Sequence, residues 1–181
     1  MSDQVSVSDS GQMSKTWQGI PYVAITFGLA VVVLFLDQIG KLIAVTFLEG
    51  RPPIQIVGQF LQLNFIRNPG AAFSIGTGMT IVFSLVACAV VIVIVRSARK
   101  LGSLGWALAL GGLLGGALGN LTDRIFRSPG IFRGHVVDYI QMPPFGIFNV
   151  ADIAITFSAI GIVILAVRGI HLDGTRGGTN E

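Results

Sequence analysis

Four long runs of apolar residues alternate with shorter polar stretches along this chain. The runs cover residues 20–45, 80–95, 104–118 and 153–167. A helix needs about 20 apolar residues to cross the hydrocarbon core of a bilayer. We therefore predict four transmembrane helices, at about residues 20–46, 79–95, 103–122 and 150–168.

The first apolar run could be mistaken for a secretory signal peptide. It is longer than the apolar core of about 7 to 15 residues that such a signal carries, and no small-x-small cleavage pattern ends it. We therefore expect it to be retained as the first helix. Polar sequences flank the helical region at residues 1–19 and 169–181, and their composition predicts two disordered tails.

The segment between the first two runs has a different period. Two prolines interrupt the chain, and residues 54–57 and 60–66 then alternate apolar and polar side chains for part of their length. This period of two is typical of β-strands, and Gly58-Gln59 suits a turn between them. The pattern predicts a small sheet at about residues 52–75 that lies on the membrane surface.

Composition agrees with this reading of the pattern. Of 181 residues, 52% are hydrophobic and 12% are charged, whereas soluble domains contain about 25% charged residues. The chain is therefore predicted to be an integral membrane protein with one domain at residues 20–168. Its net charge of +3 suits anionic lipids as partners, and the absence of basic runs interleaved with aromatic residues argues against nucleic acid. Cys88 is the single cysteine, so we expect no internal disulfide, metal site or cofactor.

The distribution of basic residues predicts the orientation of the chain in the membrane. Four spans put both termini on one side of the membrane, together with the short loop that carries Arg96, Arg99 and Lys100. Short basic loops face the cytoplasm. We therefore expect cytoplasmic termini, and we expect the sheet and the stretch from residue 120 to residue 152 to face outward.

That outward stretch carries three of the nine acidic residues, Asp123, Asp138 and Asp152. Ionisable groups at membrane depth are costly unless they are paired or functional. Our interpretation is that Asp138 and Asp152 form a catalytic pair that shares a proton, one acting as general base on a water and the other as general acid. A proton relay in a transporter and purely structural roles, with Asp152 as a helix cap, remain open alternatives at this level.

Other polar residues collect at the same end and have more than one interpretation. Asp37 and Lys41 lie four residues apart on one helix face and form either an interfacial ion pair or a brace for an active site; a lysine base for a serine nucleophile is a third hypothesis. Asn68 precedes Pro-Gly and could be only a turn residue. Arg124 could pair with Asp123 or donate to a substrate.

Five short motifs of one known family occur in order in this chain. They are Asp37-Gln38-Ile39-Gly40-Lys41, Asn68-Pro69-Gly70-Ala71-Ala72-Phe73, Gly115-Gly116-Ala117-Leu118-Gly119-Asn120-Leu121-Thr122-Asp123-Arg124, Val137-Asp138-Tyr139 and Phe148-Asn149-Val150-Ala151-Asp152. The first three resemble the patterns Asp-x-x-x-Lys, Asn-x-Gly-Ala-Ala-Phe and Gly-Gly-x-x-Gly-Asn-x-x-Asp-Arg, and the last two resemble aspartate motifs. On these motifs the chain resembles lipoprotein signal peptidase, also called signal peptidase II, over about residues 20–168.

The resemblance implies an aspartic endopeptidase of the bacterial cytoplasmic membrane with no cofactor. Such an enzyme cleaves the signal peptide from prolipoproteins on the amino side of a diacylglyceryl-modified cysteine. The implied fold is that of an all-α integral membrane protein, four transmembrane helices with a small extracytoplasmic β-cradle. Motif matches imply a catalytic pair of Asp138 and Asp152, substrate-binding roles for Asn68, Gly70, Asn120, Arg124 and Asn149, and supporting roles for Asp37, Lys41 and Asp123. The cyclic peptide globomycin is the inhibitor that the family leads us to expect.

Two features depart from the family pattern. Tyr139 stands where the family often has phenylalanine, and the segment from Phe126 to Gly134 is longer than in many members. The longer segment affects the rim of the expected site rather than the carboxylates themselves.

Overall fold

The computed structural model describes residues 20–70 and 79–177 of the chain. These contain four helices longer than a single turn of 3-10 helix: α1 (Ile20–Phe47), α2 (Met79–Ser97), α3 (Leu104–Phe126) and α4 (Val150–Val167). They also contain four strands: β1 (Ile54–Val57), β2 (Leu61–Asn68), β3 (Val136–Met142) and β4 (Gly146–Phe148). The predicted amino-terminal tail, the Ala71-Ala72-Phe73 part of the second motif, the end of the predicted sheet and residues 178–181 lie outside the described residues.

All four helices are long and apolar enough to cross a bilayer, so the predicted membrane fold is confirmed. Their outward faces carry large apolar side chains in contact with the surroundings, as a lipid-facing surface requires. α3 is different, because 61% of its most apolar stretch is buried, against 11% to 17% in the other three helices. α3 is therefore the central helix, and α1, α2 and α4 pack around it.

Glycines on two faces of α3 explain how the helices approach so closely. A Cβ atom at Gly115 would lie 2.7 Å from the carbonyl oxygen of Ala30 in α1, and one at Gly116 would lie 2.6 Å from the carbonyl oxygen of Ala151 in α4. Small residues repeated every four positions allow such backbone contact in lipid. Because α1 and α4 contact neighbouring faces of α3 here, the polar groups at their ends are brought together.

The sheet is antiparallel and has the strand order β1-β2-β3-β4. The hairpin of β1 and β2 is the one that the period-two pattern predicts. The other half of the sheet was missed by the sequence analysis: β3 pairs with β2, with Ile66 opposite Asp138, and β4 returns along β3 after a turn. The sheet therefore joins segments that flank different helices, and it holds residue 138 next to the end of β2.

A small apolar cluster fixes the sheet on the end of α1. Ala44 of α1 and Leu48, directly after its end, pack against Val137 of β3, which is fully buried, with Tyr139 beside them. The hydroxyl of Tyr139 occupies the space that a Cβ atom at Gly40 would need. Burial raises the pKa of Tyr139 to about 12, so its hydroxyl is neutral at ordinary pH. This packing determines the position of Asp138, which lies between Val137 and Tyr139 in β3.

The described part of the carboxyl-terminal segment is ordered, in contrast to the disordered tail expected from residue 169. Ile170 forms an isolated bridge with Arg176, and the indole nitrogen of Trp106 donates to the carbonyl oxygen of Ile170 at 2.9 Å. Gly102 donates to the carbonyl oxygen of Leu172. These contacts attach the segment to the start of α3, at the end of the helices opposite the sheet.

Candidate active site

Asp138 and Asp152 lie at the same end of the helices, where β3 and the start of α4 meet. Asp138 is 2% exposed, and Asp152 is half-buried in the first turn of α4. The two carboxylates are close enough for the charge of Asp152 to affect the titration of Asp138. The arrangement agrees with the predicted pairing.

Asp138 is held by two amide donors, one on each oxygen. Asn68 Nδ2 donates to Oδ2 at 2.7 Å, and Asn149 Nδ2 donates to Oδ1 at 2.6 Å. Burial raises the pKa of Asp138 to about 6, and the charge of Asp152 adds to the rise, while the two amide hydrogen bonds and the charge of Lys41 oppose it. A carboxyl group with this pKa can hold and release a proton near neutral pH.

Asp152 is built into the amino-terminal cap of α4. Its backbone N–H donates to Asn149 Oδ1 at 3.0 Å, and its Oδ2 accepts from the backbone N–H of Asn149 at 3.1 Å. This is a capping box, in which residues three apart satisfy each other's backbone groups. The other carboxylate oxygen of Asp152, Oδ1, accepts from Asn120 Nδ2 at 2.8 Å. Asp152 is therefore a helix-cap residue, as one alternative proposed, but only Oδ2 takes part in the cap, and Oδ1 contacts Asn120.

Asn149 connects the two carboxylates. It is fully buried, its side-chain amide donates to Asp138, and its backbone N–H donates to Asp152. The same Nδ2 atom lies 3.3 Å from the carbonyl oxygen of Val137. One residue thus fixes the geometry between β3 and α4, which makes the relative position of the two acids a property of the fold.

Lys41 lies behind this pair in a network of buried charges. Its ammonium contacts Asp37 Oδ2 at 2.8 Å and Asp123 Oδ2 at 2.9 Å, and these three side chains are 0% to 1% exposed. It also donates to Asn120 Oδ1 at 3.0 Å. Both predicted roles of the Asp37–Lys41 pair are compatible with this geometry. The described partners of the ammonium are carboxylate, amide and carbonyl oxygens, which gives the serine–lysine hypothesis no support.

Asp37 and Asp123 each join two elements of the site. Asp37 Oδ1 accepts from the backbone N–H of Ala151 at 2.9 Å, at the start of α4. Asp123 Oδ2 accepts from the backbone N–H of Val137 at 3.1 Å, at the start of β3. The supporting residues therefore hold the segments that carry Asp152 and Asp138.

Asn68 is a turn residue and also contacts Asp138. It ends β2, and its Oδ1 accepts from the backbone N–H of Gly70 at 2.8 Å, as a turn residue does. Its Nδ2 simultaneously donates to Asp138. Gly70 has φ of +107°, and a Cβ atom there would lie 2.9 Å from the ring of Phe83, so both backbone conformation and space require glycine.

Arg124 is near the carboxylates but is not paired with its neighbour Asp123. Its guanidinium lies over the ring of Phe83, 5.5 Å from the centroid. Its Nη1 is buried and has no hydrogen-bond partner within residues 20–70 and 79–177. Asp123 instead accepts from Arg127 Nε at 2.5 Å. A buried donor atom without a partner is costly unless a ligand completes it.

Two polar residues in the site were missed by the sequence analysis. Arg127 pairs with Asp123, and Gln38 Nε2 donates to both Asp37 and the carbonyl oxygen of Gly119, at 3.1 Å each. The spacing of four between Asp123 and Arg127 is a signal that could have identified the first. Gln38 had no such signal, because its contact with Gly119 depends on the packing of α1 against α3.

The described residues contain no group of three or more His, Cys, Asp or Glu side chains arranged to hold a metal ion.

Comparison with known proteins connects this geometry to an activity. The family model described as "Signal peptidase (SPase) II" matches residues 29–168. A lipoprotein signal peptidase of Streptomyces griseus subsp. griseus is 56% identical over 147 residues, covering 81% of this chain and 75% of the relative. The lipoprotein signal peptidase of Streptomyces coelicolor is 54% identical over 153 residues, covering 84% and 75%, and that of Mycobacterium tuberculosis is 48% identical over 145 residues, covering 80% and 72%.

Two solved structures that are similar to this chain in fold are described as bacterial membrane enzymes. One is described as a bacterial membrane enzyme determined by the in meso method at 2.3 Å resolution; it aligns with a TM-score of 0.70 at 30% identity and covers 86% of this chain and 93% of its own. A second, of the same description at 1.9 Å resolution, aligns with a TM-score of 0.68 at 32% identity, covering 79% and 92%.

Proposed function

This chain belongs to the signal peptidase II family, and from that premise we propose that it is an aspartic endopeptidase with Asp138 and Asp152 as its catalytic pair. The single observation that carries the aspartic assignment is the bridge through Asn149, which donates to both carboxylates within one buried cluster. Two coupled carboxylates that share a proton can supply both the general base and the general acid for hydrolysis of a peptide bond.

The protein is a multi-pass membrane peptidase that removes signal peptides from prolipoproteins. We propose in addition that the scissile bond lies on the amino side of a cysteine that carries a diacylglyceryl group. A signal peptide is an apolar helix within the bilayer, so it can reach the site by lateral diffusion, and its cysteine then lies at the level of the sheet. Acyl chains on that cysteine, like the membrane lipids, would lie against the apolar outer faces of the helices.

We assign the general base to Asp152 and the general acid to Asp138. Asp152 lies at the amino-terminal end of α4, which suits a negative charge, and Asp138 is the carboxyl group whose pKa burial raises to about 6. Asp152 takes a proton from water as the water oxygen bonds to the scissile carbonyl carbon. Asp138 gives its proton to the amide nitrogen as the C–N bond breaks. Transfer of the new proton from Asp152 to Asp138 restores the starting state.

The substrate backbone is positioned by the donors around the pair. Arg124 supplies the guanidinium whose Nη1 has no partner among the described residues, and Gly70 allows close approach of a peptide where φ is +107°. Asn68, Asn120 and Asn149 hold the carboxylates and line the same space. We propose that globomycin occupies this space and uses the same donors.

We propose further that both termini are cytoplasmic and that the sheet end of the helices faces outward. The basic residues of the loop between α2 and α3 support this orientation, since short basic loops remain in the cytoplasm. Water from the outer side then reaches the pair without crossing the hydrocarbon.

The direct test uses the purified protein in detergent. A prolipoprotein carrying a diacylglyceryl-cysteine is incubated with it, and the same prolipoprotein without the lipid is the matched control. We expect a product shortened at the amino side of the cysteine, identified by mass, from the lipidated substrate only. Cleavage at another bond, or equal cleavage of both substrates, would contradict the proposed substrate class.

A further inference from the structure

The ammonium of Lys41 is the most buried cation of the described site, with a side-chain exposure of 0%. An ammonium has three donors and no acceptor. Two of its contacts are the carboxylates of Asp37 and Asp123, and a third is the side chain of Asn120 at 3.0 Å. Every atom that faces Lys41 must therefore be an acceptor.

This requirement favours one orientation of the Asn120 amide. Its oxygen faces Lys41 and also accepts from Asn149 Nδ2 at 3.2 Å, so its Nδ2 faces Asp152 and donates to Oδ1 at 2.8 Å. In the flipped amide, an N–H group would face the ammonium and an oxygen would face the carboxylate of Asp152, and both contacts would be repulsive. Lys41, Asn149 and Asp152 thus favour the same orientation, and Lys41 is the charged donor on the side of the amide oxygen.

The other two amides of the cluster are oriented differently. The oxygen of Asn149 accepts from the backbone N–H of Asp152, and the oxygen of Asn68 accepts from the backbone N–H of Gly70. Backbone groups fix these two, whereas the oxygen of Asn120 accepts from two side chains, Lys41 and Asn149. Of these two, Lys41 can be substituted without removing the contact between Asn149 and Asp138.

We propose that Lys41 is a positioning residue for catalysis, which acts through Asn120 by holding its amide as a hydrogen-bond donor to Asp152. This inference rests on the proposed catalytic pair and adds to it a residue that contacts neither the pair nor the substrate. In this arrangement Lys41 on α1 affects the proposed base Asp152 on α4 through the side-chain amide of Asn120 on α3.

Other charged groups also face the pair and have to be separated from this effect. Asp138 on β3 and Arg124 on α3 interact with Asp152. Asp37 on α1 and Asp123 on α3 are the counter-charges of Lys41. Lys41 also acts on Asp138 through its charge, which affects the alkaline side of a pH profile. The acid side, where the base takes up a proton, is therefore the informative readout.

The experiment is a double-mutant cycle on the pH dependence of kcat/KM, with Lys41→Met, Asn120→Ala and the two combined. Asn120→Ala removes the donor that Asp152 receives, so we expect its acid limb to move to higher pH by about one to two units. Lys41→Met leaves the oxygen of that amide held by Asn149 alone, so its acid limb should move in the same direction. The combined variant should move the limb no further than Asn120→Ala does, because no amide is then left for Lys41 to hold. Additive shifts, or an unmoved acid limb in either folded single variant, would overturn the proposal.

Folding and specificity need their own controls. Arg127→Gln removes another partner of Asp123 without touching Asn120, so it should lower thermal stability and leave the acid limb in place. If Lys41→Met does not fold, Asp37→Asn/Lys41→Met removes one charge of each sign and takes its place in the cycle. The pair itself is tested separately: wild-type turnover in Asp152→Asn would reject the proposed catalysis, whereas an inactive Asp152→Asn with an unmoved Lys41 profile would reject this inference alone.

Discussion

The hydrogen bond from Asn68 to Asp138 permits a quantitative prediction about the pH dependence of cleavage. Asp138 is 2% exposed, and its pKa of about 6 already includes the opposing effect of this hydrogen bond. A hydrogen bond to a charged group contributes about 1.5–3 kcal/mol, and one pKa unit corresponds to about 1.4 kcal/mol. Removing the donor with Asn68→Ala should therefore raise the pKa of Asp138 by about one to two units.

The sign of the effect on activity follows from the role of Asp138 as the acid. In the wild-type protein kcat/KM should fall as pH rises through about 6, because Asp138 then loses the proton that it must donate. In Asn68→Ala this alkaline limb should move to higher pH, even though the absolute rate falls from poorer substrate positioning. The assay is initial-rate cleavage of a lipidated prolipoprotein at low substrate concentration between about pH 4 and pH 9.

Asn64→Ala provides the matched control for this measurement. Asn64 lies on the same strand and its amide donates to Gln141 rather than to Asp138, so its alkaline limb should remain at the wild-type pH. An unmoved limb in Asn68→Ala, or a limb that moves to lower pH, would refute the assignment of Asp138 as the acid.

Three further predictions concern substrate binding, orientation and metals. Arg124→Lys keeps the charge but loses the planar donor fork, so kcat/KM and globomycin affinity should both fall by about 10²-fold. The free energy of unfolding should stay within about 1 kcal/mol of the wild-type value. Early melting with normal cleavage by the folded fraction would instead show that Arg124 only stabilises the fold. In a Cys88→Ser background, a membrane-impermeant thiol reagent should label Ile131→Cys in intact spheroplasts and should not label Arg99→Cys, and the reverse pattern would place the site in the cytoplasm. EDTA should leave turnover unchanged, so loss on chelation with recovery on adding zinc would contradict the aspartic mechanism.

The helices and one hairpin were predictable because their determinants are local. Apolar runs long enough to span a bilayer are read directly from the sequence. The alternation of apolar and polar residues at 54–57 is likewise visible within that short segment. β3 was not predictable in this way, since its first three residues, from Val136 to Asp138, are all buried and show no period of two. In the sequence, β3 is separated from its partner β2 by the two helices α2 and α3.

The sequence motifs predicted which polar residues lie together more fully than they predicted the contacts between them. The motifs indicated Asp37, Lys41 and Asp123 as supporting residues, and the structure places them in one buried charge network. The pairing of Asp123 with Arg127 instead of Arg124 was missed because the predicted helix ends at about residue 122, whereas α3 continues to Phe126. Within a continuous helix, residues four apart share a face and adjacent residues do not.

The proposed hydrolysis by Asp138 and Asp152 is tested most directly by the turnover of the variants Asp138→Asn and Asp152→Asn. Each variant keeps the shape of the side chain and removes the ionisable group. We expect each to reduce kcat by at least about 10²-fold while the thermal melting curve still shows a folded protein. Asp173→Asn is the matched control, because Asp173 is an exposed acid whose described hydrogen bonds are to Thr175, and it should cleave at the wild-type rate. Wild-type turnover by either Asp138→Asn or Asp152→Asn would contradict the account.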